Sequence, residues 1–134
     1  MRGDRILYVC SQGVIRSRTA EVLTLFGGVT ARSCGIDADA LAPASNALAT
    51  WAEIVVCMER RHQRYMNEFM GMEEKPSVCL DLPDIYRPFE PKLVRDLISR
   101  LVLQPQLQAA VEMGYRLYVQ HSRDEPSRPA NPCG

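Results

Sequence analysis

The sequence predicts an α/β domain, a three-layer sandwich in which a central four-stranded parallel sheet is covered by helices on both faces. Short strand-like runs alternate with segments of helical periodicity, and that alternation builds parallel sheets joined by right-handed crossovers. The first and third runs, RILYVC and EIVVCM, are apolar almost throughout, as strands buried on both faces are. A length of 134 residues, 46% hydrophobic and 24% charged, fits one compact domain with a real core, expected over residues 1–120.

Arg5 to Cys10 is the first strand. The polar turn SQGVIRS follows. A helix from about Ser17 to Phe26 then puts Ala20, Leu23 and Gly27 on one stripe before a Gly27-Gly28 stop. Val29 to Ser33 reads as a short second strand, Gly35 to Pro43 as loop, and Ala44 to Ala52 as an alanine-rich helix. Glu53 to Met58 is the third strand. The helix after it is expected to turn His62, Tyr65, Met66, Phe69 and Met70 inward and to leave Arg60, Arg61 and Arg64 as a solvated face. Lys75 to Leu80 reads as the last strand, and DLPDIYRPFEP, with three prolines in eleven residues, as a loop. Leu93, Val94, Leu97, Ile98, Leu101 and Val102 recur at helical spacing, and Pro105 ends that helix or starts another running to about Val119. His121 to Gly134 holds three prolines and little to bury, so residues 121–134 are expected to form a disordered tail.

Sixteen basic residues balance sixteen acidic ones. Without a net positive field, binding to nucleic acid through bulk phosphate attraction is not expected. No apolar run approaches the roughly 20 residues of a membrane helix, and the opening MRGDRILYVCSQG lacks a signal-peptide cleavage pattern. A cytoplasmic protein with no membrane or nucleic-acid partner is expected, its oligomeric state left open. Five cysteines stand at 10, 34, 57, 79 and 133, an odd number without any C-x-x-C pair, which favours reduced thiols. Cys34, Cys57 and Cys79 read as packing residues, Met66, Met70 and Met72 as gap fillers, and Trp51 as an anchor. No residue cluster calls for a metal or another cofactor.

The informative segment is Cys10-Ser-Gln-Gly-Val-Ile-Arg16-Ser17, which sets a thiol and a guanidinium on one strand-to-helix turn. In open parallel sheets ligands collect at the carboxyl ends of the strands, and the first strand ends at Cys10. Five intervening residues can wrap into an anion-binding nest of backbone N–H groups, and the helix starting near Arg16 adds its positive end. That field favours the thiolate, the nucleophilic form of Cys10. Arg16 supplies a planar fork for two phosphate oxygens, and Ser17 a hydroxyl donor to the sulfur. A plainer reading makes Cys10 a small buried hydrophobe and Arg16 a helix-end surface residue. His62 reads as a satisfied core histidine.

The sequence resembles the low-molecular-weight protein tyrosine phosphatase family over about residues 5 to 118. ILYVCSQGVIRSRTAE is similar to its signature loop, RSCG at 32–35 to the segment after its first helix, AEIVVCMERRHQRYM at 52–66 to its third strand and following helix, and LPDIYRPFEPKLV at 82–94 to its acid loop. The resemblance implies strand order 2-1-3-4 and a two-step hydrolysis of a phosphorylated protein or small phosphomonoester. It implies that Cys10 attacks phosphorus and becomes phosphocysteine, that Arg16 and the loop residues Ser11, Gln12, Gly13, Val14, Ile15 and Ser17 bind the phosphoryl oxygens, and that Asp84 is the general acid and then the base. Asp81 is the alternative acid, and a turn-capping role is the plainer reading of either aspartate.

Several positions depart from the family pattern. Gln12 and Gly13 stand where glycine and asparagine are usual, which predicts a looser cradle. Ile15 replaces a second cysteine, Arg18 a proline, and Ile85 the proline after the acid. The segment from Gly35 to Ala52 is short, which predicts a pocket more open on that side. Tyr86 and Phe89 read either as a wall for an aromatic leaving group or as buried anchors of the loop. Two other functions stay in play: a catalytically weak phosphate- or phosphoprotein-binding module, and an arsenate reductase, whose relay would need two further cysteines on a mobile segment.

Overall fold

The structure, a computed structural model, describes residues 5–72 and 75–123. Four parallel strands, β1 (Arg5–Cys10), β2 (Thr30–Gly35), β3 (Ile54–Cys57) and β4 (Ser77–Cys79), form one sheet in the order β2-β1-β3-β4. Among the described residues five helices flank the sheet: α1 (Arg16–Phe26), α2 (Asn46–Trp51), α3 (Arg60–Met70), α4 (Pro91–Leu101) and α5 (Pro105–Arg123). The architecture and the strand order are those expected.

Side chains of β1 alternate between two cores, which is why its sequence is apolar at nearly every position. Ile6, Tyr8 and Cys10 face one layer with Leu23 of α1, Leu93 and Leu97 of α4, and Leu107 and Val111 of α5. Leu7 and Val9 face the other with Cys34, Val55, Cys57, Ala49 of α2 and Met66 of α3. Tyr8 is fully buried, and its hydroxyl meets Thr24 Oγ1 at 2.6 Å, so that buried polar atom is satisfied. Cys34 and Cys57 are buried free thiols. Burial, with Cys10 nearby, pushes the Cys34 thiol up to about 12, and burial likewise raises that of Cys57, so neither is a nucleophile at neutral pH.

The Gly27-Gly28 pair does more than end α1. A Cβ on Gly27 would sit 2.1 Å from the Ala110 carbonyl oxygen of α5, and one on Gly114 would sit 1.9 Å from the Leu23 carbonyl oxygen of α1. The two helices cross backbone against backbone, and glycine is what permits that approach. Gly114→Ala is therefore expected to force α5 off α1 and to destabilise the chain by about 1–3 kcal/mol, read as a lower denaturation midpoint in urea.

Differences from the sequence reading lie at boundaries and exposed faces. β2 runs on to Gly35, because Cys10 pairs in register with Gly35. β3 and β4 are shorter than expected, since β4, at the sheet edge, pairs over three residues only, and Lys75, assigned to that strand, instead donates from Nζ to the α2 carbonyls of Ala49, Thr50 and Ala52. Phe69, expected inward, is 64% exposed and rests on Tyr65 at 5.0 Å, because α3 buries only the stripe through His62 and Met66. Pro105 starts α5, which continues to Arg123, past the expected domain end; residues 124–134, including Cys133, lie outside the described residues.

Candidate active site

β1 delivers Cys10 to the carboxyl edge of the sheet, and α1 begins six residues later at Arg16. Between them Gly13 takes a left-handed turn (φ 82°), a conformation glycine adopts cheaply and that curls the loop back over the sulfur. Its N–H donates to Cys10 Sγ at 3.2 Å, and Ser17 Oγ lies 3.0 Å from the same sulfur. Both contacts suit a sulfur carrying negative charge. The residue at the helix N-cap, Ile15, has no side-chain acceptor, so the first-turn amides are left without a capping oxygen.

The loop is held from outside. The N–H groups of Ile36, Asp37 and Ala42 donate to the carbonyls of Cys10, Ser11 and Gln12 at 3.1, 3.0 and 3.3 Å. Gln12 Nε2 adds bonds to Asp37 (3.3 Å) and Asp39 (3.0 Å). Gly35 packs so closely that a Cβ there would lie 2.4 Å from Ser11 O. The short segment after β2 thus closes on the loop and ties it from outside, where Gly13 has no side chain to do so.

Arg16 is 1% exposed, among the largest buried side chains. Its Nη1 donates to Glu59 Oε2 at 2.5 Å and to the Leu82 carbonyl at 2.6 Å. Nη2 has longer contacts, 3.3 Å to Ser11 Oγ and 3.9 Å to Asp84 Oδ1. Nε is buried and has no hydrogen-bond partner among the described residues. A buried guanidinium N–H without an acceptor is costly, and an oxyanion in the cradle would satisfy it. Cys10, Ser11, Gln12, Ile15, Arg16 and Asp84 line one small cavity of about 30 Å³.

Of the predicted site residues, Cys10, Ser11, Gln12, Ile15, Arg16 and Asp84 therefore converge on the cavity, while Gly13 and Ser17 attend the sulfur and Val14 is half-buried beside them. Asp81 points elsewhere: it occupies the left-handed region (φ 55°), and its carboxylate lies 3.8 Å from Arg60 Nε. Tyr86 is an anchor, not a wall. It is buried and donates to Asp96 Oδ2 at 2.6 Å, and burial together with that carboxylate pushes its hydroxyl up to about 12. Phe89, also left-handed (φ 59°), donates its N–H to Thr19 Oγ1 on α1 and lies against α4 and α5 residues instead of the cavity. Arg18, expected to add charge at the rim, pairs with Glu21 at 2.9 Å.

The sequence reading passed over Glu59 and left Arg61 in a solvated face. Arg61 instead reaches Ser11 Oγ with Nη2 and Glu59 Oε1 with Nε at 3.1 Å. Burial raises the Glu59 carboxyl, but hydrogen bonds from Arg16 and Arg61 outweigh it and hold the group below the usual range. The available signal is the spacing, in MERRH at 58–62, of Glu59 and His62, which form a capping box at the start of α3. His62 is fully buried and satisfied: its Nδ1 accepts from the Glu59 N–H at 3.0 Å, so Nε2 carries the proton and donates to Ser11 Oγ at 3.2 Å. Burial, reinforced by Arg16, lowers His62 to about 4. Because the unfolded imidazole titrates near 6.5, the unfolded state binds the extra proton between those values. Stability is then fully present above pH 6.5 and is lost on acidification toward pH 4, by on the order of 1–2 kcal/mol at pH 5. Denaturant titrations at pH 7 and pH 5 should show that loss, and His62→Gln should flatten it.

No protein-family model and no curated protein matches the sequence, whereas several solved structures do. A low molecular weight phosphotyrosine phosphatase from Vibrio cholerae O395 superposes with a TM-score of 0.56 at 15% identity, covering 91% of this chain and 97% of that one. Wzb from Vibrio vulnificus, solved in complex with benzylphosphonate, gives 0.54 at 18% identity, covering 91% and 99%. A YwlE arginine phosphatase mutant with a phosphorylated active-site serine gives 0.52 at 17% identity, covering 91% and 98%. Nearly the whole of each of those proteins is matched. The chain has the fold of the low molecular weight protein tyrosine phosphatases.

Proposed function

We propose that the chain is a cysteine-dependent phosphomonoester hydrolase, a protein tyrosine phosphatase working through a phosphocysteine intermediate. One observation carries the reading: a sulfur that accepts from the Gly13 N–H and lies against the Ser17 hydroxyl shares a cavity with an aspartate and with a buried guanidinium that has an unpartnered N–H. The cysteine thiolate attacks phosphorus in line with the ester oxygen. As the P–O bond breaks, Asp84 gives its proton to the leaving oxygen, while Arg16 Nε and Nη2 and the loop amides hold the equatorial oxygens on which charge is spread. Water then attacks the phosphocysteine, Asp84 takes a proton from it, and inorganic phosphate leaves as the thiolate is restored. Support for the covalent step comes from the phosphorylated active-site serine of the structurally similar YwlE mutant. The arsenate alternative draws no such support, because Cys79 stands on β4 beside Asp81 (3.6 Å), without a second described cysteine on a loop near it.

Hydrolysis of an aryl phosphate that is inhibited by orthovanadate is the expected result. Phosphotyrosine peptides should exceed phosphoserine peptides and small alkyl phosphates in kcat/KM. Phosphate binding without turnover would leave a binding module in place of the enzyme, and absence of both would remove the reading.

A further inference from the structure

We propose that Glu59, locked at the start of α3 by its capping box with His62, is the positioning residue that decides which edge of the Arg16 guanidinium faces the Cys10 cavity. The inference rests on the proposed function and adds to it a residue outside the loop and outside the cavity lining.

An arginine guanidinium offers two edges as parallel forks of two N–H groups, Nη1/Nη2 and Nε/Nη2, and only one of them at a time can meet a phosphoryl group. Arg16 is buried, so every edge must be accounted for. Nη1 is occupied, with Glu59 Oε2 at 2.5 Å on one side and the Leu82 carbonyl at 2.6 Å on the other. What remains is the Nε/Nη2 edge: Nε has no partner, and Nη2 has only contacts of 3.3 and 3.9 Å. That edge belongs to a residue lining the cavity with the Cys10 sulfur. Glu59 thus removes the competing orientations by taking the opposite corner.

Glu59 is itself fixed. Its side chain accepts from the His62 backbone N–H while its own N–H donates to His62 Nδ1 at 3.0 Å, and Arg61 Nε holds Oε1 at 3.1 Å. The same imidazole donates from Nε2 to Ser11 Oγ at 3.2 Å, so one helix start registers both the guanidinium and the loop. The charge of Glu59 works against anion binding, since it puts a carboxylate on the far side of the guanidinium from the phosphoryl group. Positioning and simple electrostatics therefore predict opposite outcomes when the residue is changed.

Two conservative variants separate them, and both keep an N-cap oxygen. Glu59→Gln drops the charge and keeps the reach to Nη1. Glu59→Asp keeps the charge and withdraws the oxygen by one methylene. Calorimetric titration with inorganic phosphate and steady-state hydrolysis of an aryl phosphate are the readouts, with thermal unfolding to confirm folding. Glu59→Asp should weaken phosphate binding about tenfold and lower kcat about 10- to 100-fold, the scale of a catalytic group displaced by a fraction of an ångström. Glu59→Gln should stay within about threefold of wild type or bind phosphate more tightly. In an Arg16→Lys background the Glu59→Asp effect should shrink to less than about threefold, because a residue acting through the guanidinium has nothing left to position. Glu59→Asp behaving as wild type, Glu59→Gln being the worse of the two, or full additivity with Arg16→Lys would each overturn the assignment while leaving the phosphatase reading intact. A wild-type chain that neither binds phosphate nor hydrolyses the ester overturns the proposed function, and this assignment with it.

Discussion

Cys10→Ser is expected to abolish hydrolysis of aryl phosphates while leaving inorganic phosphate or orthovanadate bound. The sulfur contributes the attacking electron pair, and a serine hydroxyl, un-ionised at neutral pH, contributes almost none. The oxyanion cradle is built by other groups: Arg16 with its free Nε, the loop amides, and the ties from Asp37 and Ala42 that hold the loop. Of these, only the Gly13 N–H touches the atom at the tip of residue 10. Turnover by this variant at the wild-type rate would remove nucleophilic catalysis by Cys10, and the loss of phosphate affinity together with turnover would show that the sulfur also shapes the cradle.

Asp84→Asn should lower kcat for a substrate with a poor leaving group by about 10²- to 10⁴-fold, the usual worth of a positioned general acid. The effect should shrink for an aryl phosphate whose phenolate leaves without a proton. Asp81→Asn should change kcat far less, because its carboxylate is turned toward Arg60 instead of the cavity. Comparing both variants on both substrates checks the assignment, and a larger loss at Asp81 reverses it.

Much of this was legible in the sequence for a local reason. A strand buried on both faces announces itself in six letters, and the spacing from Cys10 to Arg16 fixes a thiol and a guanidinium on one turn whatever the rest of the chain does. Asp84 could be separated from Asp81 only as a match to a family position, since both sit in the same proline-rich stretch. What stayed hidden depends on contacts between distant elements. An arginine on a charged helix face reads as solvated, and Arg61 turns toward Ser11 only because the fold brings together residues separated by 50 positions. Glu59 is likewise ordinary until Arg16, 43 residues earlier, is buried against it. Tyr86 could have faced either way, and the carboxylate that decides it belongs to the next helix.

The inward turn of Tyr86 has an evolutionary corollary. With that ring committed to α4, its chain neighbour Ile85, next to the cavity-lining Asp84 in sequence, is left 67% exposed, and the interior does not need it. Substitution at such sites seldom shifts stability by more than about 0.5 kcal/mol. Position 85 can therefore drift under neutral conditions, with no compensating change demanded of the scaffold.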